Sequence, residues 1–358
     1  MQLPLLPDTD RWQEVDARSR GTVFLPLAVR SVLNAPASTK MPFWSINPYV
    51  GCEFGCAYCY ARETHKWAVE RLGAGAVDDG EGSSAPERLS ALAPWLAFEK
   101  RILVKHEAAE VLASTFHPAE VKGRTIVIGT ATDPYQPAER HFKLTRRIFE
   151  HFLRYDGLSL GLITKSPLVA RDAELLAELS KKHRVKVLIS CASIDGPLLR
   201  RIEARSPAPH ARIRAIKALT DVGVTVGLLV APVIPGITDG RAALEALLRA
   251  AREAGATSAS GQALRLGPAA RARFLPQLQQ EFPELYARYQ RRYAGRNGPG
   301  KDYEEAMKAR FTKLRALLGY PGGAEMEPGR VELQLTVAKA RNNRESAKGP
   351  VQPYAPSR

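Results

Sequence analysis

The chain has 358 residues, 45% hydrophobic and 25% charged, which is enough to bury a sizeable core in one large α/β domain or two smaller ones. Lys and Arg number 52 against 37 Asp and Glu, and the resulting +15 either attracts nucleic acid or serves only solubility. No run reaches the ~18 uninterrupted apolar residues of a membrane helix, because the longest, "VGVTVGLLVAPVIPGI" (222–237), is broken by Pro232 and Pro235.

The opening "MQLPLLPDTD" has prolines and acids where a signal peptide needs a basic patch and an apolar run. A cytoplasmic protein without membrane association is expected. Residues 1–42 show no sustained period and read as an N-terminal extension, with "NAPASTKMP" a loop by composition. Short runs rich in Val, Ile and Leu then follow at 43–51, 124–130, 158–164, 185–192 and 223–232, with a weaker one at 256–266. Such runs are too short for helices and suit buried strands of a parallel sheet. Helix-length segments lie between them at 87–114, 138–154, 168–183, 208–221 and 240–254. In the third of these, Leu168, Leu175, Leu176 and Leu179 form one stripe. Strand alternating with helix predicts βαβ units, arranged as an open or partial barrel or as a doubly wound sheet.

The insert "RLGAGAVDDGEGSSAPERLSALAP" (71–94) reads as a flexible loop. We place the core at 43–268, a helical basic segment at 269–340 and a disordered tail at 341–358. Within the basic segment, Arg288, Arg291, Arg292, Arg296 and Lys301 interleave with tyrosines, with no acid from 288 to 301. Such a stretch grips nucleic acid, or it is a helix pair with Tyr in the core and Arg snorkelling outward.

Three of the four cysteines, Cys52, Cys56 and Cys59, fall in "NPYVGCEFGCAYCYAR" with the spacing C-x3-C-x2-C. Four cysteines in a chain this long make no disulfide framework, and three crowded thiols point to a metal. A structural zinc needs a fourth ligand, for which His65 and Cys191 are available. A 4Fe–4S cluster with one iron left free needs none. The motif follows the first expected strand, where parallel α/β folds keep their ligand sites, and Gly51 and Gly55 let the backbone wrap closely.

With an aromatic, Tyr58, before the third cysteine, the motif resembles the signature of the radical S-adenosylmethionine (SAM) superfamily. Together with "GTATDPYQPAE", "LITKS", "IEARSPAP" and "VAPVIPGITD", it resembles the spore photoproduct lyase-like group over roughly residues 42–320. The resemblance implies a partial (β/α)6 barrel with a helical C-terminal segment. It implies a 4Fe–4S cluster on Cys52, Cys56 and Cys59, and SAM on the free iron. It also implies reductive cleavage of SAM to a 5′-deoxyadenosyl radical that abstracts hydrogen from a substrate. By position it assigns Tyr58, Tyr60, Asp133, Lys165 and Ser190 to the cofactor side. The bland alternatives are loop packing for the tyrosines, solvation for Lys165, an Asx turn for Asp133 and a self-satisfied hydroxyl for Ser190. An electron donor of flavodoxin or ferredoxin type is expected, with nucleic acid as a partner by analogy to the lyase. One departure stands out. Thr130 occupies the place of the lyases' cysteine hydrogen donor, which argues against repair of the spore photoproduct itself. Cys191, next to Ser190, should point away from the barrel interior into the core. Two rivals remain: a zinc-dependent nucleic-acid-binding protein using Cys52, Cys56, Cys59 and His65, and a radical SAM accessory protein that acts on another protein.

Overall fold

The computed structural model describes residues 21–65 and 94–321. Most of the 71–94 loop, the first 20 residues and the 341–358 tail lie outside the described residues. Two sheets form the frame. The larger has seven strands in the order β10-β9-β8-β7-β6-β3-β2. These are β2 (Leu33–Asn34), β3 (Trp44–Ile46), β6 (Thr125–Ile128), β7 (Ser159–Thr164), β8 (Arg184–Ser190), β9 (Thr225–Val233) and β10 (Ser258–Ala263). From β3 to β10 every neighbouring pair is parallel, and only β2 joins antiparallel, at the edge.

The strand order decides between the two expected architectures. A doubly wound sheet reverses its order at a switch point. Here the six parallel strands follow one another in chain order without reversal, as in a singly wound (β/α) barrel. The terminal strands β2 and β10 do not pair, so the barrel is partial. The strands are buried because helices cover them. Helix Ala173–Lys182 turns Leu175, Leu176 and Leu179 inward. Leu176 and Leu179 are fully buried, which stabilises the fold by about 1.5–3 kcal/mol each. Among the described residues no helix is long and apolar enough to cross a membrane.

The 43–51 run does not stay one strand. Pro48 has no N–H to continue a ladder, and the chain leaves the barrel after Ile46. Tyr49–Val50 (β4) instead pairs antiparallel with Arg101–Val104 (β5), which also holds Val23–Pro26 (β1) in parallel. Strand β5 falls inside the expected 87–114 helix. Its described part is a helix at Pro94–Lys100, the strand, and a second helix at Ala108–Thr115. The expected 138–154 helix is likewise two, divided where Lys143 adopts φ 50°.

Beyond β10 the chain forms helices Pro268–Glu281, Pro283–Arg292 and Lys301–Leu317. The tyrosines of the basic segment belong to the core. Tyr289 and Tyr293 stack with ring centroids 5.5 Å apart. Their hydroxyls donate to the carbonyls of Pro235 (2.6 Å) and Leu264 (3.2 Å), tying the helices to the loops after β9 and β10. Arg288 and Arg291 face solvent.

Candidate functional site

The three cysteines lie in a loop at the carboxyl end of β3, where the chain has just left the barrel. Two backbone features shape it. Gly51 has φ 94°, and a Cβ there would stand 2.7 Å from the Phe98 carbonyl. That carbonyl accepts the Cys52 N–H at 2.9 Å. Gly55 has φ 56°, and a Cβ there would collide with the Arg205 guanidinium and the Glu99 carboxylate. Only glycine fits both demands. Cys52 and Cys56 are buried, Cys59 is half-buried, and none is in a disulfide. Burial raises the pKa of all three thiols, that of Cys56 to about 12. Each of Cys52 and Cys56 is raised further by neighbouring thiols. They would sit there as thiolates only against positive charge, which a metal centre supplies.

Two carboxylates anchor the loop. Glu99 accepts from Arg62 (3.3 Å), Arg273 (3.2 Å) and Arg205. Arg62 donates onward to the Cys56 carbonyl at 2.8 Å. Glu203, whose side chain has no exposure, pairs with Arg212, Tyr58 and, at 3.3 Å, Lys165. Arg212 is equally buried, yet the Glu203 carboxylate outweighs desolvation and holds its pKa above the usual arginine value.

Lys165 follows β7 and Ser190 ends β8, and the barrel brings them to the cysteine loop. The Lys165 ammonium donates to the Tyr58 hydroxyl (3.1 Å) and the Ser190 hydroxyl (3.3 Å). It also stands 5.3 Å from the centroid of the Tyr58 ring. Ser190 donates in turn to the Ala231 carbonyl at 3.3 Å. Asp133 forms the Asx turn that was the alternative to a cofactor-side role, accepting from the Tyr135 N–H at 2.9 Å. It also accepts from the Thr164 hydroxyl (2.6 Å) and the Lys165 N–H (2.7 Å), bracing the strand end that presents Lys165. Burial raises its pKa, against the lowering effect of these hydrogen bonds.

Tyr60 is 42% exposed, and its hydroxyl donates to the Thr130 carbonyl. Thr130 itself is buried, and its hydroxyl accepts from the Asn47 amide at 3.1 Å. Cys191 is fully buried and its thiol donates to the Ser193 carbonyl at 3.1 Å, a core position. His65 is directed elsewhere: its Nε2 bonds the Arg101 carbonyl at 3.1 Å, and burial lowers its pKa. Among the described residues no three His, Cys, Asp or Glu side chains are grouped to hold a metal ion. The residues the sequence did not single out are Glu99, Glu203, Arg205, Ser206 and Arg212. Four of these five lie in or just after "IEARSPAP".

The model of the radical SAM superfamily matches residues 46–248. Uncharacterized protein Rv2578c of Mycobacterium tuberculosis is 32% identical over 324 residues, covering 89% of this chain and 88% of that one. Uncharacterized protein MJ0683 of Methanocaldococcus jannaschii is 30% identical over 203 residues, 56% of this chain and 65% of that one. Among solved structures, spore photoproduct lyase complexed with dinucleoside spore photoproduct has a TM-score of 0.55 at 13% identity, covering 88% of this chain and 85% of that chain. That likeness is one of fold, and it agrees with the singly wound partial barrel described above. With the family match spanning the three-cysteine loop and strands β6 to β9, more than half of the chain, the chain belongs to the radical SAM superfamily.

Proposed function

We propose that Cys52, Cys56 and Cys59 hold a 4Fe–4S cluster, and that SAM lies between it and the strand ends that carry Lys165 and Ser190. The observation behind this reading is that three free thiols, two buried and one half-buried, share the carboxyl end of the sheet with the Lys165 ammonium. No fourth cysteine is offered, because Cys191 is engaged in the core, and a cluster with one iron left free needs none. When bound, the pair supplies one-electron cleavage of SAM and a 5′-deoxyadenosyl radical. The chain's own residues bind and orient. Lys165, only 15% exposed, offers a positive charge for the SAM carboxylate, beside the Ser190 hydroxyl. Glu203 and Tyr58 fix where that ammonium points. Asp133 holds the backbone of Lys165. Tyr60, beside Cys59, is 42% exposed and is held through its hydroxyl by the Thr130 carbonyl. An external donor of flavodoxin or ferredoxin type delivers the electron.

For substrate we propose nucleic acid bearing a lesion other than the spore photoproduct. The net charge of +15 and the shared fold with the dinucleoside-bound lyase support this class. Thr130 argues against the spore photoproduct, because an O–H bond is far stronger than the thiol S–H of a hydrogen donor. The test is 5′-deoxyadenosine formation by anaerobically reconstituted protein with SAM and dithionite, with and without UV-irradiated DNA. Formation accelerated by irradiated DNA is expected. Formation at one rate regardless of DNA removes the nucleic-acid substrate, and no formation by iron-loaded protein removes the radical reading.

A further inference from the structure

The segment Glu203–Ser206 leaves the helix Gly196–Ile202 and runs against the cysteine loop. It meets that loop at four points. The Ile202 carbonyl accepts the Ala57 N–H at 3.3 Å. Glu203 accepts from the Tyr58 hydroxyl. Arg205 pairs with Glu99, one of whose further partners, Arg62, holds the Cys56 carbonyl. The Ser206 hydroxyl stands 3.2 Å from the Cys56 sulfur. Ser206 is 4% exposed, so water does not compete for that contact, and its hydroxyl bonds no other group among the described residues.

We propose that Ser206 is a positioning residue that sets how readily the cluster is reduced, by donating a hydrogen bond to the Cys56 sulfur. This rests on the cluster reading above. The direction of the bond follows from chemistry. A cysteine that ligates iron is a thiolate with no proton to give, so the hydroxyl must be the donor. The electron gained on one-electron reduction spreads onto the thiolate sulfurs. A donor there therefore favours the reduced state and raises the potential. The rest of the segment fixes the distance. Arg205 and the Ile202 carbonyl hold the preceding chain against the loop, and the Ser206 N–H bonds the Glu203 carbonyl at 3.0 Å.

The test compares wild type, Ser206→Ala and Ser206→Thr after anaerobic reconstitution. Iron and sulfide per chain are counted, and the midpoint potential is read by electron paramagnetic resonance during a mediated redox titration without SAM. Ser206→Ala should load like wild type. Its reduced-to-oxidised ratio at fixed poise should fall about tenfold, which is ~59 mV for one electron. Ser206→Thr keeps the hydroxyl and should titrate as wild type does. A loaded Ser206→Ala protein at the wild-type potential overturns the proposal. So does a folded Ser206→Ala protein that takes up no iron, because the hydroxyl would then serve assembly. If Ser206→Ala does not fold by circular dichroism, a shifted potential in Ser206→Thr overturns the proposal and an unshifted one supports it. Failure of the underlying reading looks different, since wild type itself would then contain no iron.

Discussion

Replacing Arg212 by Ala should destabilise the folded protein by about 3–5 kcal/mol, the cost of breaking a buried ion pair from one side. Arg212 and Glu203 both have side-chain exposures of 0%. The guanidinium also donates to the Ser190 carbonyl (3.1 Å) and the Pro207 carbonyl (3.0 Å from Nε). Without it, the Glu203 carboxylate keeps only Tyr58 and Lys165, and two carbonyls lose a charged donor. Hydrogen bonds to charged groups contribute about 1.5–3 kcal/mol each, but these share one side chain and do not add. The total stability of a domain is about 5–15 kcal/mol, so the loss is a large fraction of it. Urea titration followed by circular dichroism, with unchanged slope between variants, measures it. The double substitution E203Q/R212M removes both charges and should recover at least half of the loss. A loss below about 1 kcal/mol in R212A would refute the reasoning, because no buried charge would then be left uncompensated.

Gly55→Ala should lower both stability and iron uptake, since its Cβ meets the Arg205–Glu99 pair on a backbone with φ 56°. Iron per chain after reconstitution and the urea midpoint are the readouts. His65→Ala should keep wild-type iron content, because its ring serves the Arg101 carbonyl and the Phe98 edge. Loss of metal would revive the zinc set. Asp172 gives a pH prediction. Burial raises its pKa, but Arg171, Arg146 and Tyr135 outweigh burial and hold it below the usual value. The stability it contributes is therefore full above the ordinary Asp pKa of about 3.9 and is lost as pH falls further, through the folded value. Asp172→Asn should be less stable than wild type at neutral pH, with the gap narrowing below about pH 4 in urea titrations. A gap independent of pH would contradict this.

The barrel's strands were legible because they carry continuous Val, Ile and Leu between helical patterns, but that pattern left a doubly wound sheet open, and only the family resemblance implied the barrel. The runs at 158–164 and 185–192 match β7 and β8 closely. The strand at Arg101–Val104 was not legible, since "RILV" joins a helix to its left and is only four residues long. Its partner Val23–Pro26 was equally short. The break after Ile46 had a signal in Pro48. The three cysteines declared themselves by spacing alone. Their charged supports did not, because Glu99 and Arg273 look like surface residues in sequence and meet only through the fold. "IEARSPAP" was visible as a motif, yet nothing in its spacing tells which of its residues faces a sulfur. Whether Lys165 was solvated or turned inward also depended on Glu203, which lies 38 residues further along the chain.

The central claim is a cluster with one iron open to SAM, and electron paramagnetic resonance of the reduced, reconstituted protein with and without SAM tests it most directly. The account predicts about four iron and four sulfide per chain, a reduced-cluster signal that changes on adding SAM, and loss of most iron in Cys56→Ala. Bound zinc in place of iron, or a reduced-cluster signal that SAM leaves unaltered, would contradict it.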